Sequence, residues 1–251
     1  MEIIASGCSF TAGDELVELI PNYLSKGPDP ELYKQYNKQV GYIRNDMKKW
    51  QELLNQQRQI AWPAKLQELD DTLEVQNVAQ GGLSIEEICW RVLKQMNRNF
   101  RKPDLVIIML TAPSRFGHGI HSEPTDFNFR SYLMSGTTWL QNNPLNKLII
   151  EPDSYDHLWR TYNVVTGTKK LLETRGIKCM IVDSGMCAQT VDKNKKRDNE
   201  LYDLLDVKIN FGQFLIDYND EYQTRLPGCH PTEIMHEMFA KEVYKCMMSY
   251  M

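Results

Sequence analysis

The chain has 251 residues, 42% of them hydrophobic and 25% charged, a balance that excludes wholesale disorder. At this length, folding removes about 70–75% of the surface the unfolded chain exposes, so a core needs no disulfide staples. With 29 basic against 33 acidic residues the net charge is −4, which speaks against a general phosphate-binding surface and against nucleic acid as a partner.

In chain order, Glu2-Ile3-Ile4-Ala5 predicts a short buried strand that runs into the turn Ser6-Gly7-Cys8-Ser9-Phe10-Thr11. A helix is expected from Ala12 to Ile20, with Asp14 and Glu15 suited to its first turn. Residues 21–60 are polar and lack strand periodicity, and predict a mostly helical insertion. Pro63 suits the first turn of a helix opening at Ala61. Leu73 to Ala79 alternates as a strand and breaks at Gly81-Gly82. Ile85, Ile88, Cys89, Val92, Leu93 and Met96 then fall at helical spacing.

Asp104 to Leu110 is a continuous apolar run after its first residue, the pattern of a central parallel strand. Residues 115–150 are expected to be irregular and to form a second insertion. A helix over Asp156 to Thr174 precedes a strand over Ile177 to Val182. The charge run Asp192 to Asn199 is expected to be a solvated loop, and a last helix runs from about Pro231 to Tyr250. Strands alternating with helices predict one α/β domain with a parallel sheet covered on both faces.

No apolar run approaches the about 18 residues of a membrane span. The N-terminus lacks the basic and apolar regions of a secretory signal, and Cys8, Cys89, Cys179, Cys187, Cys229 and Cys246 include no CxxC pair. Free thiols and a cytoplasmic setting are the expectation.

Chemistry is expected at the carboxyl ends of the strands, where parallel sheets bind ligands. Ser9 follows the first strand directly and opens a helix, a position that suits a nucleophile whose attack generates an oxyanion. A plain helix N-cap is the other reading of the same residue. Gly228-Cys229-His230-Pro231 precedes the last helix and converges on that edge.

Three blocks in order resemble the SGNH (GDSL-type) hydrolases across nearly the whole chain. Gly7-x-Ser9-x-Thr11 resembles their first block, Asn77-Val78-Ala79-Gln80-Gly81-Gly82 their second, and His230-Pro231 their last. The form Gly7 to Leu16 is similar to bacteriophage-encoded members. The resemblance implies a three-layer α/β/α fold, flavodoxin-like, and hydrolysis of an ester without a cofactor. The ester would be an O-acyl group on a carbohydrate or lipid. It makes Ser9 the nucleophile, His230 the general base, and the backbone N–H groups of Ser9 and Gly82 oxyanion donors.

Two departures stand out. The third block, usually Gly-x-Asn, is replaced by Leu110-Thr111-Ala112-Pro113-Ser114-Arg115, where Thr111 or Arg115 is the available donor. The usual Asp three residues before the His is Pro227, which leaves His230 without an evident acid. A distant carboxylate or a backbone carbonyl would have to replace it; otherwise the enzyme is slow, or, as the missing Asn also suggests, the chain is a non-catalytic binding or structural protein, such as a virion component.

Arg115 is also a candidate for binding a substrate carboxylate or phosphate. His118, His121 and Glu123 have metal-binding spacing only if helical, and Gly117, Gly119 and Pro124 favour a surface loop with no metal. His236 and His157 read as helix residues. Lys193, Lys195, Lys196 and Arg197, flanked by Asp192 and Asp198, form a solvated cluster.

Overall fold

The computed structural model describes residues 1–98, 102–113, 115–123, 126–133, 154–218 and 224–251, with backbone alone at 98, 115–123, 126–133 and 154. Five strands, β1 (Glu2–Ser6), β2 (Glu74–Asn77), β3 (Leu105–Leu110), β6 (Lys178–Asp183) and β7 (Val207–Asn210), form one sheet in the order β2-β1-β3-β6-β7. Every pairing in it is parallel, for example Ala5 with Ile107 and Ile107 with Met180. All six residues of β3 are buried, as a strand covered on both faces requires.

Alternation along the strands builds two cores. Ile3, Ala5, Leu105, Ile107, Met109, Met180 and Val182 face α4 (Trp62–Leu69), α9 (Phe211–Asp217) and α10 (Glu233–Tyr250). Ile4, Val106, Ile108, Leu110, Cys179 and Ile181 face α5 (Ile85–Arg98), α6 (Ser154–Thr174), α7 (Met186–Thr190) and α8 (Lys196–Leu204). The result is the expected α/β/α sandwich. In this strand order the crossover direction reverses between β1 and β3, so ligands are expected beyond the carboxyl ends of those two strands.

The insertion over 21–60 is helical, as expected: α2 (Pro30–Arg44) and α3 (Met47–Ile60). Asp29 caps α2 by accepting from the Glu31 and Leu32 backbone N–H groups at 3.0 Å each, and Asp46 caps α3 by accepting from Lys48 and Lys49. Leu16, Tyr23, Tyr36, Val40, Ala61 and Leu226 form a third, smaller core that binds this insertion to the segment preceding His230.

Three expectations fail. The helix predicted from Ala12 to Ile20 is instead a single turn, α1 (Ser9–Ala12), stopped by Gly13 at φ 78°. Beyond it Leu16, Leu19 and Ile20 turn into the third core rather than onto the sheet. Residues 115–123 and 126–133, expected to be irregular, form an antiparallel pair, β4 (Arg115–Glu123) with β5 (Asp126–Leu133). Positions 118 and 121 therefore lie on a strand, without the helical geometry that a metal reading needed. The rest of the expected second insertion, 124–125 and 134–150, lies outside the described residues. The charge run is a solvated loop only in its first half. Lys196 opens α8, and Asp198 and Leu201 are buried on its inner side.

All six cysteines are free thiols. Among the described residues no helix is long and apolar enough to cross a membrane, and no group of His, Cys, Asp or Glu is arranged to hold a metal ion.

Candidate active site

Ser9 sits where β1 ends, as the first residue of α1, 4% exposed. Cys8, its neighbour, points into the sheet core and is fully buried. The first N–H groups of a helix have no partner within it, so the Ser9 amide is available at the same point as its hydroxyl. Asn77 at the end of β2 donates from Nδ2 to the Thr11 carbonyl at 2.7 Å and accepts from Ala79 N–H at 3.1 Å. The asparagine of the second block thus ties its own loop to the helix that bears Ser9. Two arginines hold the same loop: Arg58 donates to the Ala79 carbonyl at 3.0 Å and Arg91 to the Val78 carbonyl at 3.2 Å. The loop ends at Gly82, exposed, with φ 79°, and with nothing within 4 Å of where a Cβ would lie.

His230 is carried by a tight reversal of the chain. Leu226 N–H donates to the His230 carbonyl and Cys229 N–H to the Leu226 carbonyl, both at 2.8 Å, and Arg225 bridges Pro231. The imidazole meets the Phe10 ring edge-on, centroids 5.6 Å apart, which places it against the residue next to Ser9. No hydrogen bond joins Ser9 Oγ to His230 among the described residues. Such contacts often form only once substrate is bound.

A carboxylate of the kind the sequence motif lacks is present in space. His230 Nδ1 is hydrogen-bonded to Glu15 Oε1, across 215 positions of chain. Glu15 is 3% exposed, and its other oxygen accepts from Tyr23 Oη at 2.8 Å and from Gly228 N–H at 2.9 Å. A buried carboxylate is tolerable only when hydrogen-bonded in this way. Glu15 itself (φ 72°) and Cys229, the neighbour of His230 (φ 66°), hold left-handed backbone that side chains disfavour, a strain that collects at functional sites. Gly228 has no such freedom to take a side chain. A Cβ there would lie 1.9 Å from Glu15 Oε1 and 2.4 Å from the Tyr33 ring.

Sequence reasoning placed Glu15 on the first turn of a helix and missed its contact with His230. The sequence offers Gly13 as a stop close behind Ser9, and Pro227 in the acid's usual place, and neither singles out Glu15.

The other predicted residues are less involved. Thr111 follows β3 directly, 1% exposed, and its hydroxyl has no hydrogen-bond partner among the described residues. Arg115 begins β4, and its side chain lies outside the described residues. His236 is buried on α10, where Nδ1 accepts the Trp62 N–H at 3.0 Å and so caps α4. Burial, with His230 and Lys65 nearby, lowers its pKa to about 3. A second buried carboxylate on this edge, Asp183, accepts from the N–H groups of Gly185, Cys187 and Ala188 and from Tyr202 Oη. Burial pushes its pKa up while those four bonds oppose the rise, and its work is to fix the turn after β6.

No protein-family profile matches the sequence, and no curated protein matches it. Solved structures do match, over nearly the full length of both chains. A protein assigned to the lipolytic G-D-S-L family from Desulfitobacterium hafniense DCB-2 superposes with a TM-score of 0.51 at 12% identity, covering 98% of each chain. The psychrotrophic esterase EstA from Pseudoalteromonas sp. gives 0.52 at 11% identity, covering 99% of this chain and 97% of its own. TesA gives 0.52 at 11% identity, covering 100% of both. The fold is that of the G-D-S-L lipolytic proteins. At 11–12% identity the likeness is one of architecture.

Proposed function

We propose that the chain is a serine esterase of the SGNH type. The observation that carries the reading is the buried Glu15 carboxylate on His230 Nδ1. It answers one of the two departures that favoured a non-catalytic protein, because a carboxylate partner fixes the imidazole with Nε2 free to accept a proton and stabilises the imidazolium that follows. The structural neighbour EstA, an esterase, supports the same class of reaction.

In this mechanism Ser9 Oγ attacks the acyl carbon as His230 Nε2 takes its proton. The tetrahedral oxyanion is held by the N–H groups of Ser9 and Gly82, with the unpartnered Thr111 hydroxyl the side chain available as a third donor. Collapse breaks the bond to the alcohol, which leaves with the proton from His230. Water, activated by the same imidazole, then releases the acid from Ser9. The substrate is a small-molecule or glycan ester, and no step calls for a cofactor.

The test is hydrolysis of p-nitrophenyl acetate by the unmodified chain, Ser9→Ala and His230→Ala. Turnover lost in both variants, each with an unchanged circular dichroism spectrum, is expected. Turnover that survives Ser9→Ala would refute the assignment.

A further inference from the structure

The acid's surroundings give the insertion over 21–60 a definite task. Glu15 Oε2 has two donors, Tyr23 Oη and Gly228 N–H, and both are set by the insertion. Tyr23 is fully buried and stacks on Tyr36 of α2, centroids 4.3 Å apart and planes inclined by 23°. Gly228 is held by the N-terminus of the same helix: Asp29 N–H donates to the Pro227 carbonyl at 3.1 Å, and Tyr33 closes over Gly228. Leu226, three residues ahead of Cys229, is a member of the insertion's own core.

From this arrangement we infer that the insertion is the socket of the catalytic acid, and that Tyr23 is the residue that positions Glu15 for His230. The inference rests on the esterase reading above. With Oε2 occupied by two donors, Oε1 is the oxygen left to face the imidazole, and the carboxylate cannot rotate away without abandoning a buried bond. Burial first, and then the bond to Glu15, raises the Tyr23 pKa far above that of a free phenol, so it remains a donor throughout the working pH range. The acid thus comes from the nucleophile's own loop, and its orientation from helices that contribute no strand to the sheet.

The test uses the full chain and p-nitrophenyl acetate, with labelling by a fluorophosphonate measured alongside. Tyr23→Phe, which removes one oxygen, is expected to lower kcat about tenfold and to leave KM within about twofold. Tyr42→Phe, on the exposed part of the same insertion, is expected to match the unmodified chain. Tyr36→Leu removes the ring that Tyr23 stacks on and is the second variant, expected to lower kcat several-fold. An unchanged kcat in either folded variant would overturn the inference, since a merely structural tyrosine would lower the melting temperature and leave kcat alone. Failure of the unmodified chain to label at Ser9 would overturn the esterase reading and this inference together. Normal labelling with a wild-type rate in Tyr23→Phe would overturn the inference alone.

Discussion

At the scale of single residues, the account turns on which carboxylate serves His230. Glu15→Gln keeps the shape of the side chain but removes the charge that stabilises the imidazolium. We expect kcat to fall by about 10⁴, the order found when such an acid becomes an amide. Steady-state kinetics on a short acyl ester measures this, and a loss of less than about threefold would remove Glu15 from the mechanism. Replacing Asp183 by Asn should act differently: its oxygens serve backbone N–H groups of the turn after β6, so stability should fall while kcat per folded molecule holds.

At the scale of elements, the loop from Val78 to Gly82 carries the oxyanion assignment. Gly82 lies at φ 79° with open space beside it, so Gly82→Ala meets no clash but is strained by about 1–2 kcal/mol. A melting curve should show that cost, and kcat should fall further than stability does, because relief of the strain moves the donating N–H. Wild-type turnover in Gly82→Ala would dismiss that donor. This is also the scale at which sequence reading worked and then stopped. The central strand at Leu105–Leu110 and the helix at Ile85–Arg98 were legible because a run of apolar residues, or a 3.6-residue spacing, reports burial directly. Glu15 was not legible. Its backbone takes a left-handed turn just after Gly13, and its partner is 215 positions away. Composition offers 33 acidic residues and no way to choose among them without the topology that folds α1 against the segment before α10. The hairpin β4–β5 escaped for a different reason: its glycines and histidines break the apolar alternation that marks a strand.

At the scale of the whole molecule, His236 links stability to pH. It stays neutral in the folded chain down to about pH 3, whereas in the unfolded chain it takes up a proton near pH 6.5. The unfolded state therefore binds the extra proton between those values, and stability falls as pH falls through that window, by at most about 1.4 kcal/mol per unit. Denaturant midpoints between pH 7 and 5 measure it. His236→Asn, which retains an acceptor for Trp62 N–H and cannot titrate, should flatten the slope; an unchanged slope would place the dependence elsewhere.

The same sandwich that buries His236 also brings Ser9, Glu15 and His230 to one edge of the sheet from the two ends of the chain, and that meeting is the central claim. Intact-mass analysis after treatment with a fluorophosphonate tests it most directly. A single stoichiometric adduct on the unmodified chain, absent from Ser9→Ala and much slower to form in Glu15→Gln, is the predicted result. A folded chain that takes up no adduct, or that keeps it in Ser9→Ala, would contradict the account.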